Sequence, residues 1–242
     1  MLKRFLDIVI SFTGLLVASP VLIPLLLLVW RQDNHSPFYI APRIGMGGKT
    51  FHMVKVRSMV VNADESGVDS TSANDNRITA LGYFIRRFKI DEITQLWNVL
   101  KGDMSLVGPR PNVQRDVSLY TNVEKKLLEA RPGITDLSSI VFSDEGEILK
   151  DRPDPDLSYN QLIRPWKSRL GLLYVDHQSV SLDLHLILLT VIAIVSKEKA
   201  LEGIQKLLAK LHAEESLQRI SRRKEDLQPF PPPGSLEIVM SR

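Results

Sequence analysis

The sequence of 242 residues contains no cysteine. Disulfide bonds and thiolate metal sites are therefore excluded, and the chain suits a reducing compartment. Aromatic residues are scarce, at 7% of the chain, and no internal repeat is visible. His177 and His185 lack the spacing of metal ligands, so we expect a structural or interfacial role for both.

The composition is typical of a globular protein. Apolar residues make up 44% of the chain and charged residues 24%, which is enough to bury a core. The net charge of +3 and the isoelectric point of about 9.1 are mildly basic. We expect anionic partners such as phosphates or lipid headgroups, and no nucleic acid.

One long apolar run lies near the start of the chain. Residues 8–30 carry no charged side chain, a length that can span a hydrocarbon core of about 30 Å. A signal peptide is the alternative, since Lys3 and Arg4 give the chain a basic start. The run is longer than a usual signal core and no A-x-A cleavage site follows it, which favours a membrane helix.

Two prolines, Pro20 and Pro24, interrupt this run. Each removes a backbone donor and disfavours a straight helix, and a serine hydroxyl such as that of Ser19 can bind the freed carbonyl. The helix either crosses the bilayer with a kink, or bends near Ser19-Pro20 and returns to the face from which it entered. Basic residues on both flanks of the run weakly favour the re-entrant form. On the residues alone, both geometries stay open.

A β-hairpin is predicted for residues 38–57. Two strand-like segments flank the sequence GMGGK, whose glycines suit a turn. Alternation in the second strand places Lys55 and Arg57 on the same face. Two adjacent cations indicate an anion site, and an exposed strand face is the equally weighted alternative.

Two amphipathic stripes with helical spacing cover residues 81–88 and 93–100. The spacing breaks between them, which predicts a kink or a new helix start near residues 89–91. Thr79 is expected to cap the first helix and Asp91 the second, because both residue types favour N-cap positions.

The other segments give weaker predictions, and none of them carries a motif that by itself points to chemistry. We expect a loop at 61–76, a polar helix at 115–131, a turn at 131–135, a buried or membrane-surface helix at 182–195, an amphipathic interfacial helix at 200–212, and a flexible tail from about residue 214.

The densest polar cluster runs from Arg86 to Glu92. Cations keep neighbouring carboxylates ionised, and an ionised Asp91 can attack phosphorus as a nucleophile. Mg²⁺ would suit the same place, because it prefers one or two carboxylates together with phosphate oxygens. Taken alone, the cluster is more typical of a capped, salt-bridged surface helix, so a functional interpretation depends on its context.

That context is a series of motifs in fixed order. The series consists of Lys3-Arg4-x-x-Asp7, Ser19-Pro20, Lys55-Val56-Arg57-Ser58-Met59, Asn76-Arg77-Ile78-Thr79-Ala80-Leu81-Gly82, Ile85-Arg86-Arg87, the block from Asp91 to Pro111, and Arg131-Pro132-Gly133-Ile134-Thr135. Over roughly residues 1–200 it closely resembles the bacterial sugar transferase family, the monotopic polyprenyl-phosphate phosphoglycosyl transferases. The block from Asp91 to Pro111 is very specific.

The resemblance implies a reaction. Members of this family move a phosphosugar from a UDP-sugar onto polyprenyl (undecaprenyl) phosphate, which starts the assembly of O-antigen, capsule or exopolysaccharide. Asp91 matches the nucleophile, which forms a covalent aspartyl-phosphosugar intermediate and releases UMP. Glu92 matches its partner, which helps to hold Mg²⁺ and to handle protons.

The resemblance also supports further assignments. The predicted substrate-phosphate-binding residues are all cations: Lys55, Arg57, Arg86, Arg87 and Arg110. The predicted structural residues are Ser19 and Pro20, at the break of the re-entrant helix, and Pro109 and Pro111, in the turn that borders the site.

The implied fold is α+β and mainly helical, with a re-entrant membrane helix, interfacial amphipathic helices and a small helix-backed β-hairpin. We expect a re-entrant helix at residues 1–31, a catalytic domain on the cytosolic face at 32–200, and an amphipathic helix with a flexible tail at 201–242. The protein would reside among the lipids of the bacterial inner membrane, at its cytoplasmic face, with a homodimer as one option.

Three positions depart from the family's usual pattern. Thr94 stands where proline is usual, Asp136 stands where glycine is usual, and residues 141–145 replace a segment that often carries arginine. The third departure leaves the sugar open. Two alternative functions remain: a catalytically inactive membrane scaffold of a glycan assembly complex, and a Mg²⁺-dependent phosphohydrolase. The sequence disfavours the hydrolase, because no second carboxylate cluster offers a two-metal site.

Overall fold

A long apolar helix is the first element of the fold, which a computed structural model describes for residues 1–241. Helix α1 (Leu2–Arg31) runs without interruption through Pro20 and Pro24. By length and composition it is the one helix within residues 1–241 that could cross a membrane. The long apolar helix is therefore confirmed, whereas the break expected at Ser19-Pro20 is not visible as an interruption.

Ser19 compensates for the backbone donor that Pro20 lacks. In an α-helix the carbonyl of Leu16 would accept a hydrogen bond from the N–H of residue 20, and proline has none. Ser19 Oγ instead donates to Leu16 O at 2.7 Å. The freed carbonyl in the apolar middle of α1 thus keeps a partner, as a lipid environment requires.

The predicted β-hairpin is confirmed. Strand β1 (Phe38–Ile44) pairs antiparallel with strand β2 (Thr50–Val56) along its whole length. The turn contains Gly47 and Gly48 at φ values of 69° and 73°, a left-handed conformation that glycine adopts without steric cost. The hairpin carries Lys55 near the end of its second strand.

Helix α2 (Ala80–Arg87) corresponds to the first amphipathic stripe. Thr79 caps it as predicted, because its Oγ1 accepts a hydrogen bond from Gly82 N at 2.9 Å. The predicted break follows at Lys89, which has a left-handed φ of 52°. This conformation costs a non-glycine residue about 1 kcal/mol or more, so the surrounding structure must hold it.

The second helix of this pair starts later than predicted. A 3₁₀ turn covers Ile90–Glu92, and helix α3 (Gln95–Lys101) begins only after it. Asp91 therefore lies in the turn and does not cap α3, so this prediction is wrong. The left-handed residue before the turn directs the chain into one tight turn before a regular helix can form.

A second pair of strands was not predicted. Strand β3 (Ser105–Val107) pairs in parallel with strand β4 (Gly133–Thr135), where the sequence indicated only a short apolar piece and a turn. Strands of three residues are too short for an alternating pattern to show. Gly133 is required here, since a Cβ atom on it would lie 2.0 Å from the backbone nitrogen of Gly108.

Helices make up the rest of the fold. The prediction of a single polar helix at 115–131 is wrong, because this region forms two short segments. The second segment contains the buried Glu124, which its ion pair with Arg164 at 2.8 Å draws inward. The elements are α4 (Gln114–Ser118), a 3₁₀ stretch (Glu124–Glu129), α5 (Leu137–Val141), α6 (Glu145–Ile148), α7 (Pro155–Ser158), a π-helical turn (Tyr159–Ile163), α8 (Arg164–Asp176), α9 (Val180–Val195), α10 (Lys197–Lys210) and α11 (Glu215–Ser221).

The main hydrophobic core lies between helices α5, α8, α9 and α10. Leu170, Leu186 and Ile204, from the last three of these helices, are completely buried in it. The helix predicted at 200–212 is α10, and it is amphipathic. Its apolar face packs into this core, and its expected position on a lipid surface stays a prediction.

Helix α9 has two different apolar sides. Leu186 and Leu189 are buried in the core, whereas Leu188 and Val191 are exposed. The helix is therefore both part of the core and part of the apolar surface, which combines the two alternatives predicted from the sequence.

The tail after residue 214 differs from the flexible segment that we predicted. Phe230 stacks on Trp166, with ring centroids 4.4 Å apart. Gln161 donates a hydrogen bond to Val239 O at 2.8 Å. The tail therefore follows the surface of the helical core, because its apolar and backbone groups find partners there.

Both ends of α1 contact the rest of the protein. Near its start, Lys3 Nζ lies 2.6 Å from Asp183 Oδ2 of α9. Near its end, Val29 is completely buried in a small cluster with Val56 of β2 and Ile85 of α2. Exposed apolar residues lie along the whole length of α1, among them Phe5, Val17 and Leu27.

Candidate active site

Two elements bring a lysine and two carboxylates together. Lys55 comes from β2, and Asp91 and Glu92 come from the 3₁₀ turn between α2 and α3. Lys55 Nζ lies 3.3 Å from Asp91 Oδ2 and 3.4 Å from Glu92 Oε1. Arg110, which follows β3, places Nη2 2.8 Å from the same Glu92 oxygen. The result is a compact group of two carboxylates and two cations.

Two polar side chains, Thr94 just before α3 and Asn98 within it, bind this turn to the hairpin. Thr94 Oγ1 lies 3.1 Å from Val54 O and 3.3 Å from Asp91 O. Asn98 accepts from Val54 N at 2.9 Å and donates to His52 O at 2.7 Å. Thr94 thus supplies a hydroxyl tie between the turn and the hairpin. Neither role was predicted, because both residues lie off the apolar stripe that the sequence shows over residues 93–100.

Glu92 is an anion held by several cations. Burial alone would raise the pKa of Glu92, but Arg110, Lys55 and Lys89 together lower it well below its usual range. Glu92 in turn raises the pKa of Arg110. Glu92 is therefore ionised at neutral pH and can act as an acceptor or a metal ligand, but not as a proton donor.

Two further cations near the carboxylates have no carboxylate partner within ion-pair distance in residues 1–241. These are Arg86 and Lys89, and both are half-buried. Burial lowers the pKa of each, while Asp91 and Glu92 oppose that shift. Half-buried cations without a partner are suited to bind an anionic ligand.

A cavity of about 890 Å³ connects these groups. This volume is within the range of pockets that hold a small-molecule ligand. The cavity gathers most of the residues predicted for the site, namely Lys55, Arg57, Arg86, Arg87, Asp91, Glu92, Arg110 and Pro111. Ser19 and Pro20 lie elsewhere, on α1, and Pro109 accepts the hydrogen bond from Gly133 N at 3.0 Å. Their predicted roles are structural, and these positions are compatible with that.

Arg57 has a partner outside the carboxylate group. Its Nη2 lies 2.7 Å from Asp33 Oδ1, and its Nε donates to Ser36 O at 2.8 Å. The hydrogen bond from Arg57 lowers the pKa of Asp33 to about 2. Arg57 thus ties the chain just after α1 to the hairpin, whereas Lys55 pairs with Asp91 and Glu92, and the anion site predicted for the two cations stays a prediction.

The carboxylates of Asp91 and Glu92 fit one kind of metal site. No group of three or more His, Asp or Glu side chains suited to a metal occurs in the part of the chain that the structure describes. Both carboxylates, however, converge on a single cation, the Lys55 ammonium. Two hard oxygen donors completed by phosphate oxygens and water are the set that Mg²⁺ prefers.

The other side of the cavity is acidic. Glu145 pairs with Lys167 of α8, and Asp144 pairs with Lys197 at 2.7 Å. Asp136 caps the preceding helix α5 by accepting from Ser139 N at 2.7 Å. The departures at 136 and 141–145 therefore build one local structure, in which each acid has a partner.

The start of α1 is bonded to α3 and β3, two elements that adjoin the site. Arg4 donates to Val99 O at 2.6 Å and to Leu100 O at 2.9 Å, at the end of α3. Asp7, buried, accepts from Ser105 Oγ at 2.9 Å. These contacts were not predicted, since residues about a hundred positions apart in sequence give no local pattern.

Comparison with known proteins identifies the family of this chain. The family model described as bacterial sugar transferase matches residues 1–197. An undecaprenyl-phosphate galactose phosphotransferase of Salmonella typhimurium is 44% identical over 151 residues, which cover 56% of this chain and 32% of the relative. A UDP-galactose-lipid carrier transferase of Erwinia amylovora is 38% identical over 151 residues, covering 56% and 31%. The sugar transferase EpsL of Bacillus subtilis, whose function is uncharacterised, is 36% identical over 205 residues, covering 84% and 90%.

The coverage limits what can be transferred from these relatives. The chain spans about a third of the length of the Salmonella and Erwinia proteins. The family match is more extensive, since it includes α1, the hairpin, the carboxylate turn, the β3–β4 pair and the helical core through α9. The chain therefore belongs to the bacterial sugar transferase family, as its motifs predicted.

Proposed function

We propose that this protein transfers a phosphosugar from a UDP-sugar to polyprenyl phosphate and releases UMP. The observation that carries the proposal is the convergence of Asp91 and Glu92 on Lys55 in a cavity that also contains unpaired cations. A carboxylate nucleophile with cations around it matches the needs of a diphosphate substrate.

Two relatives support the substrates. One is an undecaprenyl-phosphate galactose phosphotransferase and the other a UDP-galactose-lipid carrier transferase. Both names describe a sugar moved to a lipid carrier. For the present chain the polyprenyl phosphate acceptor and the UDP-sugar donor follow by analogy.

In the proposed first step, an oxygen of Asp91 attacks the sugar-bearing phosphorus of the donor. The bond between that phosphorus and the bridging oxygen breaks, and UMP leaves with the bridging oxygen and its negative charge. Arg110, Arg86 and Lys89 line the cavity where that charge develops, and preorganised cations stabilise such a transition state. The product is an aspartyl-phosphosugar.

In the second step, a phosphate oxygen of the lipid attacks the same phosphorus. The bond to Asp91 breaks, the carboxylate is regenerated, and a polyprenyl-diphospho-sugar forms. No proton has to move, because the lipid phosphate is already an anion. Glu92, ionised throughout, therefore acts through charge and ligation and not as an acid.

Asp91 and Glu92 would hold Mg²⁺ together with oxygens of the diphosphate. When bound, the metal would supply positive charge that neutralises the phosphates. Lys55 links both carboxylates and keeps them at one point, so that donor and metal can meet there.

We infer further that α1 is re-entrant and that the site faces the cytoplasm at the inner membrane. A helix that crossed the bilayer would place its ends on opposite sides. Here Lys3 near one end and Val29 near the other both contact one body. The exposed apolar residues of α9, such as Leu188, would lie in the lipid interface, where a polyprenyl phosphate can approach.

The test uses the full chain in nanodiscs that contain undecaprenyl phosphate, with Mg²⁺ and a panel of UDP-sugars beginning with UDP-galactose. We expect UMP release and a lipid-linked sugar diphosphate. Release of inorganic phosphate or free sugar phosphate without a lipid acceptor would instead show a hydrolase. Absence of UMP with every donor, from protein that is folded, would favour the inactive scaffold.

A further inference from the structure

Two basic residues from the later part of the chain hold one acid of the cavity wall. Asp144 lines the cavity, and its Oδ2 lies 2.7 Å from Lys197 Nζ and 3.2 Å from Arg223 Nη2. Arg223 lies outside the residues 1–197 that the family model matches. A segment beyond the family region therefore reaches the wall of the candidate site.

Asp144 belongs to a short segment that Phe142, buried in the main core, anchors at its start. We define the cavity segment as residues 142–147, which include the connection from α5 to α6 and most of α6 itself. Glu145 in this segment faces the cavity and pairs with Lys167, and Gly146 O accepts from Ala73 N at 2.9 Å. A displacement of Asp144 would also move Glu145 and the rest of the cavity segment.

Arg223 is an ordered residue. Its side chain is only 12% exposed, and its guanidinium lies 5.4 Å from the ring centroid of Phe142. Its φ is 53°, a left-handed value that costs a non-glycine residue free energy and persists only where contacts maintain it. Arg223 directly follows the cap of α11, where its N–H donates to Ile220 O at 3.0 Å, and its side-chain contacts with the cavity segment hold it as well.

The charge of Asp144 depends on these partners. Burial alone would raise the pKa of Asp144, but Lys197 and Arg223 hold it below its usual range. An ionised Asp144 keeps both ion pairs, whereas a neutral one would lose most of their strength.

We propose that Arg223, together with Lys197, is a positioning residue for the cavity in which the proposed UDP-sugar donor binds. Acting through Asp144, it fixes the cavity segment and so the place of Glu145 beside the bound donor. The kinetic consequence rests on the proposed function. Because Arg223 does not contact Asp91, its loss changes donor binding more than the chemical step.

The experiment compares Arg223→Ala, Arg223→Lys and the matched control Arg222→Ala, which removes an exposed neighbouring arginine. In the full chain with undecaprenyl phosphate nanodiscs, KM for UDP-galactose should rise about 3- to 10-fold in Arg223→Ala, as expected for loss of a half-buried ion pair. The kcat should stay within about twofold. Arg223→Lys should restore most of the affinity, and Asp144→Asn combined with Arg223→Ala should add little to either change alone.

Hydrogen exchange of backbone amides in residues 142–150 gives a second readout that does not need activity. Exchange should be faster in Arg223→Ala than in Arg222→Ala. Equal exchange in the two variants overturns the positioning role, and faster exchange with unchanged KM overturns its link to the donor. If the wild type releases no UMP, the proposed function fails while the exchange result still decides the positioning role. If Arg223→Ala does not fold, Arg223→Lys and Asp144→Asn carry the same comparison.

Discussion

Lys55 Nζ lies almost equally far from Asp91 Oδ2 and Glu92 Oε1, at 3.3 Å and 3.4 Å. One ammonium group therefore serves two carboxylates in a pocket where Asp91 is only 7% exposed. A single positive charge leaves such a pair with net negative charge, which Arg110 offsets from the Glu92 side. The adjacent carboxylates are thus in different surroundings, and their substitution should have different effects.

Asp91→Asn should lower UMP release by about 1,000-fold or more, because an amide is a poor nucleophile. Glu92→Gln is the matched control, since it makes the same change one residue away. It should slow turnover but still allow the covalent intermediate. Mass spectrometry of the peptide that contains residue 91 would detect a phosphosugar adduct, and an adduct in Asp91→Asn would rule out Asp91 as the nucleophile.

Lys55→Ala should lower kcat/KM by about 100-fold, the usual cost of losing one preorganised charge at a reacting phosphate. It leaves the two carboxylates facing each other without the cation that links them. Lys49→Ala, in the exposed hairpin turn, should behave like the wild type. A Lys55→Ala variant with wild-type kinetics would remove Lys55 from the site.

The Asp33–Arg57 pair should give stability that depends on acid pH. The pKa of Asp33 is lowered by Arg57 from 3.8 to about 2, so the pair stabilises the fold above about pH 4 and the effect is lost as pH falls towards 2. The unfolding temperature of Asp33→Asn should lie below that of the wild type at pH 5, and the two should converge near pH 2. Glu65→Gln, on an exposed loop, should show no such convergence; a constant difference for Asp33→Asn would contradict the mechanism.

Glu124→Gln should strongly destabilise the fold, by about 3–5 kcal/mol, because it leaves the buried Arg164 without its counter-charge. Denaturant unfolding in detergent measures this, with the exposed Glu129→Gln as control. Replacing both partners by apolar residues, Glu124→Leu with Arg164→Met, should recover part of the loss. A loss below about 1 kcal/mol in Glu124→Gln would show that water already reaches this pair.

The topology of α1 can be measured cleanly because the chain has no cysteine. Single cysteines in place of Leu2 and Gln32, both exposed, should react with a membrane-impermeant reagent from the same side of sealed vesicles. Reaction from opposite sides would refute the re-entrant geometry.

Elements whose apolar or turn residues form a regular local pattern could be predicted from the sequence. The hairpin, the helix capped by Thr79 and the break near Lys89 all follow from spacing and turn residues that lie within about ten positions of one another. The family motifs then predicted Asp91 as the nucleophile, a choice that the local cluster from Arg86 to Glu92 did not decide by itself.

Features that depend on distant contacts were not predicted. Strands β3 and β4 pair, but each is too short to show alternation in the sequence. Arg4 binds the end of α3, which is far from it in sequence. Helix α10 has the pattern of a lipid-facing helix, but the pattern does not say what its apolar face covers. Whether that partner is lipid or Leu189 of α9 is settled only by packing.

The attachment of α1 has a consequence for how this protein can be handled and how it can change. Removing residues 1–31 would not release a water-soluble catalytic part, because it would strip Arg4 from the last carbonyls of α3 and Asp7 from Ser105. It would also uncover Ile85, which is completely buried against the end of α1. The membrane helix and the site are therefore one folding unit, and the helix cannot be exchanged for an unrelated anchor without rebuilding the site.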